Sequence, residues 1–264
     1  MAIHRTAIVA PSAEIDSSVE IGPYSIIGAR CHVGAGTRIG PHVVLEDFTS
    51  VGERCEIRAG ACLGGPPQDV KFKGEESYLR IGDNNIIREF VTIHRATGAG
   101  ATTVIGDDGM FMAYCHVGHN CHVGNAVIMA SWVGISGHVV IEDKVTFGGM
   151  VGVHQFVRIG RLAMIGAQSK VVQDIPPFMK ADGRPTKVYT LNDLGLRRSG
   201  LSAKVRSDLK QAFKLLYLSD LNLSQAIEEI EQEIDMGQEI SYLLDFLRST
   251  RFGYGGRQMD HRPE

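Results

Sequence analysis

The sequence predicts a mainly β protein: a parallel β-helix of six-residue repeats followed by a small α-helical C-terminal domain. Three observations predict it. An apolar residue recurs every six positions between Ile3 and Val171, at 26 positions in one phase. Glycine follows 13 of those 26, where 31 glycines spread evenly over 264 residues would place about three. Beyond residue 190 the period of six gives way to the 3.6-residue period of amphipathic helices.

A period of six fits neither a helix nor a flat strand. It is the spacing of a solenoid in which each hexad makes one short strand and one corner. Three hexads close a triangular coil, and successive coils stack as parallel strands roughly 4.8 Å apart. Each coil is buried by its neighbours, so the apolar column is the core. Residues one coil (18 positions) apart therefore come into contact. The glycine after each apolar residue is expected to supply backbone angles that a side chain would resist at a tight corner.

The register runs unbroken from Ile3 to Leu63, resumes at Ile81, Ile87 and Ile93, and resumes again at Ile105. The first gap, Gly64 to Arg80, carries Asp69 and Glu75 at the apolar phase. The second, His94 to Val104, is rich in Gly, Ala and Thr. Both read as loops extruded from the coil, at about 64–80 and 94–104. Loops on a rigid solenoid are where function tends to sit, and Asp69 and Lys71 make the first the stronger candidate. After Val172, the Pro- and Gly-containing QDIPPFMKADGRP ends the solenoid. Val205, Leu209, Ala212, Phe213 and Leu216 then give one helix, Leu223, Ile227, Ile230 and Ile234 a second, and Ile240, Leu243, Leu244 and Leu247 a shorter third. The reading is a β-helix over 1–189 and a helical domain over 190–264, with a tail from Arg251 expected to fray.

Composition narrows the function. Thirty acidic and 27 basic residues give a net charge of −3, without the electrostatic footprint of a nucleic-acid binder. No run of 18 apolar residues predicts a membrane span, and the N-terminus lacks the apolar region of a secretory signal. The five cysteines are scattered and lack CxxC spacing, as expected of reduced thiols in a cytoplasmic protein. Cys115 and Cys121 flank a histidine cluster and are expected to be small packing residues.

That cluster holds the chemistry. From His119, one coil on is Gly137 and two coils on is Gln155. His138 stands one position from this column, His154 and Gln155 bracket it, and His116 lies half a hexad before it. These residues gather on one edge over about 10 Å of height. One chemistry is a general base, for which histidine is the usual choice near neutral pH. The other is a metal site, since histidine is a common zinc ligand. Corner histidines without a role are the bland alternative, which five histidines between 116 and 154 disfavour. Asn120 could fix the tautomer of His119. A backbone N–H at Gly137 could hold an oxyanion during acyl transfer.

HVGHNCHVGN, ISGHVVIED, FGGMVGVHQFVRIG and VVQDIPPFM resemble the bacterial UDP-N-acetylglucosamine O-acyltransferases that begin lipid A synthesis. PPQDVKFKGE, IREFVTIHRAT, LGLRRSGLS and LRSTR extend the resemblance over essentially the whole chain. It implies a left-handed β-helix, a homotrimer with active sites between subunits, and no metal or cofactor. It implies transfer of a 3-hydroxyacyl chain from acyl carrier protein to the 3-OH of UDP-N-acetylglucosamine by direct attack. Position by position, His119 matches the general base and Gly137 the oxyanion amide, with Asn120 beside the base. Asp69, Lys71, His116 and His138 match residues around the sugar and the reacting centre. His154, Gln155, Asn192 and Arg198 match positions near the substrates. Met164, Ala167 and Gln168 match positions that measure acyl length.

The sequence departs from the resemblance at Asn120, where an aspartate is usual, at Leu194, where a glutamate is frequent, and at Ser199, which replaces the second residue of an Arg-Arg pair. A 3-amino acceptor therefore stays open. So does the sister N-acyltransferase of the same pathway, which normally carries a further N-terminal domain. A zinc enzyme of the γ-carbonic anhydrase type and a non-catalytic scaffold are the remaining alternatives.

Overall fold

Three sheets of 11, 9 and 8 strands, parallel except for the last pair of the first, form the walls of a left-handed β-helix in the computed structural model, which describes residues 2–252. Most of the strands are two residues long, and the second residue of each is the apolar one. It points inward, and the column from Ile21 to Val171 is buried throughout. Ile3 pairs with Ile21 and Ile21 with Ile39, one coil apart. Across the gaps the coil lengthens: Val51 pairs with Ile81, Ile81 with Ile105, and Thr92 with His116. From His116 to Val171 the 18-residue step holds, with His116 against Gly134 and Gly134 against Gly152, and it shortens to 16 where Met164 pairs with Lys180.

The corners correct one expectation from the sequence. Apart from Gly64 (φ 82°), the glycines after the apolar positions do not supply the left-handed backbone. That conformation falls two residues later, at Tyr24, His42, Tyr114, Asn120, Trp132 and His138, with φ between 56° and 68°. Each strained corner is anchored by its own N–H, as in His42 to the Pro23 carbonyl at 3.0 Å and His138 to the His119 carbonyl at 2.9 Å. The glycines are small for a different reason, the passage of the next coil. A Cβ on Gly22 would stand 2.7 Å from the Gly40 carbonyl carbon, and one on Gly118 would stand 2.8 Å from the Gly137 nitrogen. Close-packed backbone cannot yield to such an atom.

The strands Cys62–Gly65 and Tyr78–Ile81 leave 66–77 extruded. The strands Thr92–His94 and Thr102–Ile105 leave 95–101 extruded. An antiparallel hairpin, Met179–Gly183 against Thr186–Leu191, closes the last coil. Four helices follow: α1 (Asp193–Arg198), α2 (Ala203–Tyr217), α3 (Leu223–Glu233) and α4 (Gln238–Phe252). The short α1 has too few turns to show a period in sequence. Ser202 and Asn222 cap α2 and α3, the latter through a reciprocal box with Gln225. Phe178, Leu196, Leu209, Phe213, Ile230 and Leu243 form the helical core. The tail read as frayed lies outside the described residues beyond Phe252.

The helices are pinned to the coils just past the histidine cluster. Arg158 and Asp174, 18% and 3% exposed, pair at 3.0 Å. Arg158 also donates to Ser249 Oγ, to Thr250 Oγ1 and to the Phe246 carbonyl on α4. Among the described residues no helix is long and apolar enough to cross a membrane.

Candidate active site

The site is the corner between strands His116–Val117 and His122–Val123. Gly118 lets the Gly137 backbone pass beneath it, and Cys121 fills the core. Between them the left-handed turn at Asn120 (φ 57°) sets Asn120 beside His119.

Asn120 is held on three sides. Its backbone N–H donates to Thr103 Oγ1 at 2.8 Å. Its Oδ1 accepts the Thr97 N–H at 2.9 Å, and its Nδ2 donates to the Thr97 carbonyl at 3.0 Å. A backbone N–H can only donate and a carbonyl can only accept, so the amide has one orientation. Oδ1 therefore faces His119 Nδ1, 2.8 Å away, and Nδ1 must carry the proton. Nε2 is left with a free lone pair, as a general base requires. Nε2 lies against Gly137, where an added Cβ would be only 2.6 Å from it. The Gly137 carbonyl accepts the Phe156 N–H at 3.3 Å, while its own N–H meets no acceptor among the described residues.

Three further imidazoles crowd this corner. His138 stands edge-on to His119, with centroids 5.2 Å apart, and stacks on Phe156 at 4.8 Å. Burial, then the neighbouring His119 charge, lowers the His138 pKa, with Asp69 opposing. His116 shares a hydrogen bond between Nδ1 and Thr92 Oγ1 at 2.8 Å, and burial lowers its pKa too. His94, edge-on to His116 at 5.1 Å, is pulled down to about 4 by burial and then by His116 and His119. Its Nδ1 is buried without a partner. The sequence reading missed His94, Thr97 and Thr103 as parts of the site. They lie across the second extruded loop, where residues can no longer be matched by counting.

Asp69 comes from the first loop. Its carboxylate accepts the Lys71 N–H at 2.9 Å, which lowers its pKa, and the charges of His119 and Lys71 pull it the same way. The loop thus brings Asp69 within electrostatic reach of His119 and His138, with Lys71 two residues on. Cys115 and Cys121 are buried, which pushes their thiols up to about 11 and about 12 and leaves no thiolate nucleophile there. Among the described residues no three His, Cys, Asp or Glu side chains stand where they could share a metal ion.

The other candidates are not gathered here within one chain. His122 is exposed on the next face, near Glu142 and Arg161. His154 and exposed Gln155 lie two coils on, beside Phe156. Asn192 is 8% exposed, and both ends of its amide make contacts within the fold: Oδ1 caps α1 at the Gly195 N–H and Nδ2 donates to the Leu162 carbonyl. Arg198 is exposed in the last turn of α1. Met164 is half-buried on the first sheet, and Ala167 and Gln168 are exposed at the corner that follows it.

Known proteins share this architecture. Residues 30–65 match the bacterial transferase hexapeptide family of six repeats. Residues 174–254 match the second domain of UDP-N-acetylglucosamine O-acyltransferase. An acyl-[acyl-carrier-protein]–UDP-N-acetylglucosamine O-acyltransferase of Thermodesulfovibrio yellowstonii is 48% identical over 95% of this chain and 98% of its own. Among solved structures, the UDP-N-acetylglucosamine O-acyltransferase of Moraxella catarrhalis superposes with a TM-score of 0.90 at 38% identity, over 95% of this chain and 98% of that one. The Arabidopsis UDP-N-acetylglucosamine acyltransferase superposes at 0.86 with 33% identity, over 99% and 98%. On this similarity over nearly its full length, the chain belongs to the acyl-[acyl-carrier-protein]–UDP-N-acetylglucosamine O-acyltransferase family.

Proposed function

We propose that the protein transfers a 3-hydroxyacyl chain from acyl carrier protein to the 3-OH of UDP-N-acetylglucosamine, the first step of lipid A synthesis, in the cytoplasm. The observation that carries the mechanism is His119, with Nδ1–H locked on Asn120 and Nε2 against Gly137. Nε2 takes the proton of the sugar hydroxyl as its oxygen attacks the thioester carbonyl. The developing oxyanion is held by the Gly137 N–H, whose direction is fixed by the coil. The tetrahedral intermediate collapses, the C–S bond breaks, and Nε2–H returns its proton to the thiolate. No acyl-enzyme forms. Asp69, Lys71, His116 and His138 surround the sugar, and His154, Gln155 and Arg198 contact the substrates from neighbouring surfaces. Asn192 acts through α1, which its amide caps.

The working unit is a homotrimer. Phe90, Tyr114 and Trp132 stack in an exposed corner column at 5.3 and 4.3 Å, continued by Met150. Ile86 and Ile128 extend it over the adjacent face. Trp132 is 55% exposed in the single chain. A contiguous apolar surface of this kind marks a protein interface, and light scattering should give three times the chain mass.

The deciding experiment is acyl transfer to UDP-N-acetylglucosamine by His119→Ala and His122→Ala. The first should lose roughly 10²- to 10⁴-fold in kcat, and the second should keep most activity. Equal losses would remove the role given to His119.

A further inference from the structure

The two extruded loops meet through one carboxylate, Glu75, which occupies the apolar phase of the repeat and yet lies outside the core. Its Oε1 accepts the Gly98 N–H at 2.8 Å, and its Oε2 accepts the Lys73 N–H at 2.8 Å. The Gly98 N–H belongs to the same peptide group as the Thr97 carbonyl. A trans peptide is planar and presents these two groups on opposite edges. On one edge the Thr97 carbonyl takes Asn120 Nδ2 at 3.0 Å, and on the other Glu75 takes the N–H. A single rigid plane therefore separates Glu75 from the amide that fixes His119.

We infer that Glu75 is a positioning residue that couples the loop bearing Asp69 and Lys71 to the proton pattern of His119. The coupling runs through named bonds. Lys73, two residues after Lys71, is tied to Oε2. Oε1 fixes the tilt of the 97–98 peptide. That tilt presents a carbonyl to Asn120 Nδ2, which turns Oδ1 toward His119 Nδ1. A charged acceptor makes a stronger hydrogen bond to a backbone N–H than a neutral one does, which suits Glu75 to hold a peptide in an exposed loop. Gly98, at φ 101°, gives the second loop the backbone angle it needs there. A parallel tie, the Gly100 N–H to the Glu76 carbonyl at 2.9 Å, holds the loops together without touching the 97–98 peptide. Glu75 is thus needed for the orientation of that peptide, and loop contact does not depend on it alone.

The inference rests on His119 as the base, and the test separates the two. Full-length protein labelled with ¹⁵N-histidine reports by NMR which ring nitrogen of neutral His119 carries hydrogen, independently of activity. In Glu75→Ala we expect a mixed tautomer, a kcat lower by roughly 10- to 100-fold, and a raised KM for the sugar nucleotide. In Glu75→Gln the carboxamide oxygen still takes the Gly98 N–H, while its NH₂ cannot accept from Lys73. That variant should keep the Nδ1–H tautomer and a near-normal kcat with a raised KM. A wild-type tautomer in Glu75→Ala overturns the inference, whatever its kcat. So does a Glu75→Gln variant as slow as Glu75→Ala. If the alanine variant does not fold, Glu75→Gln decides alone: preserved kcat with raised KM sustains the coupling, and lost kcat overturns it. A fully active His119→Ala overturns the base assignment and leaves the tautomer result to judge Glu75.

Discussion

Gly137 lies so close beneath His119 that a methyl group on its Cα would stand 2.6 Å from Nε2 and 2.7 Å from Cε1. The ring cannot simply swing away. Its Nδ1 is bound to Asn120, and Asn120 is bound to Thr97 and Thr103. Gly137 is not among the residues with positive φ, so alanine there costs little backbone strain. Gly137→Ala should therefore fold while losing roughly 100-fold or more in kcat, the scale of an ångström-sized misplacement. Thermal melting and steady-state kinetics on the same preparation test this. Wild-type kcat in a folded Gly137→Ala would show that the close approach plays no part in catalysis.

Acid should loosen the fold before it protonates the carboxylates. His94 binds its proton near pH 4 in the folded chain, against 6.5 for an ordinary histidine. His116 and His138 are shifted the same way, chiefly by burial. Between these values the unfolded chain binds more protons than the folded one, so stability rises with pH. It is complete above about 6.5 and is lost as pH falls toward about 4. The expected result is a Tm that drops between pH 7 and 5, with a smaller drop in His94→Gln. An unchanged slope in that variant would assign the acid sensitivity to other groups.

The solenoid and the pairing of His119 with Gly137 were legible because no insertion separates them. Eighteen residues make one coil from 119 to 137, and arithmetic suffices. Between His94 and His116 an extruded loop intervenes, so the register could not reveal that the two rings touch or that Thr97 reaches Asn120. The glycine pattern signals the fold, but only Gly64 among these glycines is a source of left-handed backbone. Steric clearance and conformational freedom both select glycine, and sequence alone does not separate them. The left-handed corners themselves carry Tyr, His, Trp and Asn, stabilised by hydrogen bonds to the preceding coil that leave no mark in the sequence. Asn192, which the resemblance matches to a position near the substrates, also caps α1 and donates to the Leu162 carbonyl, two contacts that its sequence position does not announce.

Asn120→Asp should separate orientation from charge. A carboxylate can accept both the His119 Nδ1–H and the Thr97 N–H, so the tautomer should survive. The Thr97 carbonyl, however, would lose its donor and face a like lone pair. An unsatisfied group of this kind costs about 1–3 kcal/mol, which a lower Tm should report. The new negative charge favours the imidazolium, so the acid limb of the kcat profile should move to higher pH. A profile that does not move would mean that the residue at 120 does not govern proton affinity at His119.

Ala167 should limit the acyl chain. It is exposed at the corner after Met164, and its backbone crosses Gly148 so closely that a Cβ on Gly148 would stand 2.6 Å from the Ala167 nitrogen and 3.1 Å from its methyl. The Ala167 backbone therefore cannot sink further into the coil, and the methyl group stands out from a fixed wall. The expectation is that in the proposed trimer this wall closes the groove for the acyl tail. A methylene in such a groove is worth about 1–3 kcal/mol, or 10- to 200-fold in specificity. Wild type should prefer chains shorter than those accepted by Ala167→Gly, and the variant should gain kcat/KM only for the longest donors. A chain-length series of 3-hydroxyacyl carrier-protein thioesters with both proteins measures this. If both accept the same longest chain at equal kcat/KM, the methyl at 167 does not set the length, and half-buried Met164 becomes the residue to vary next.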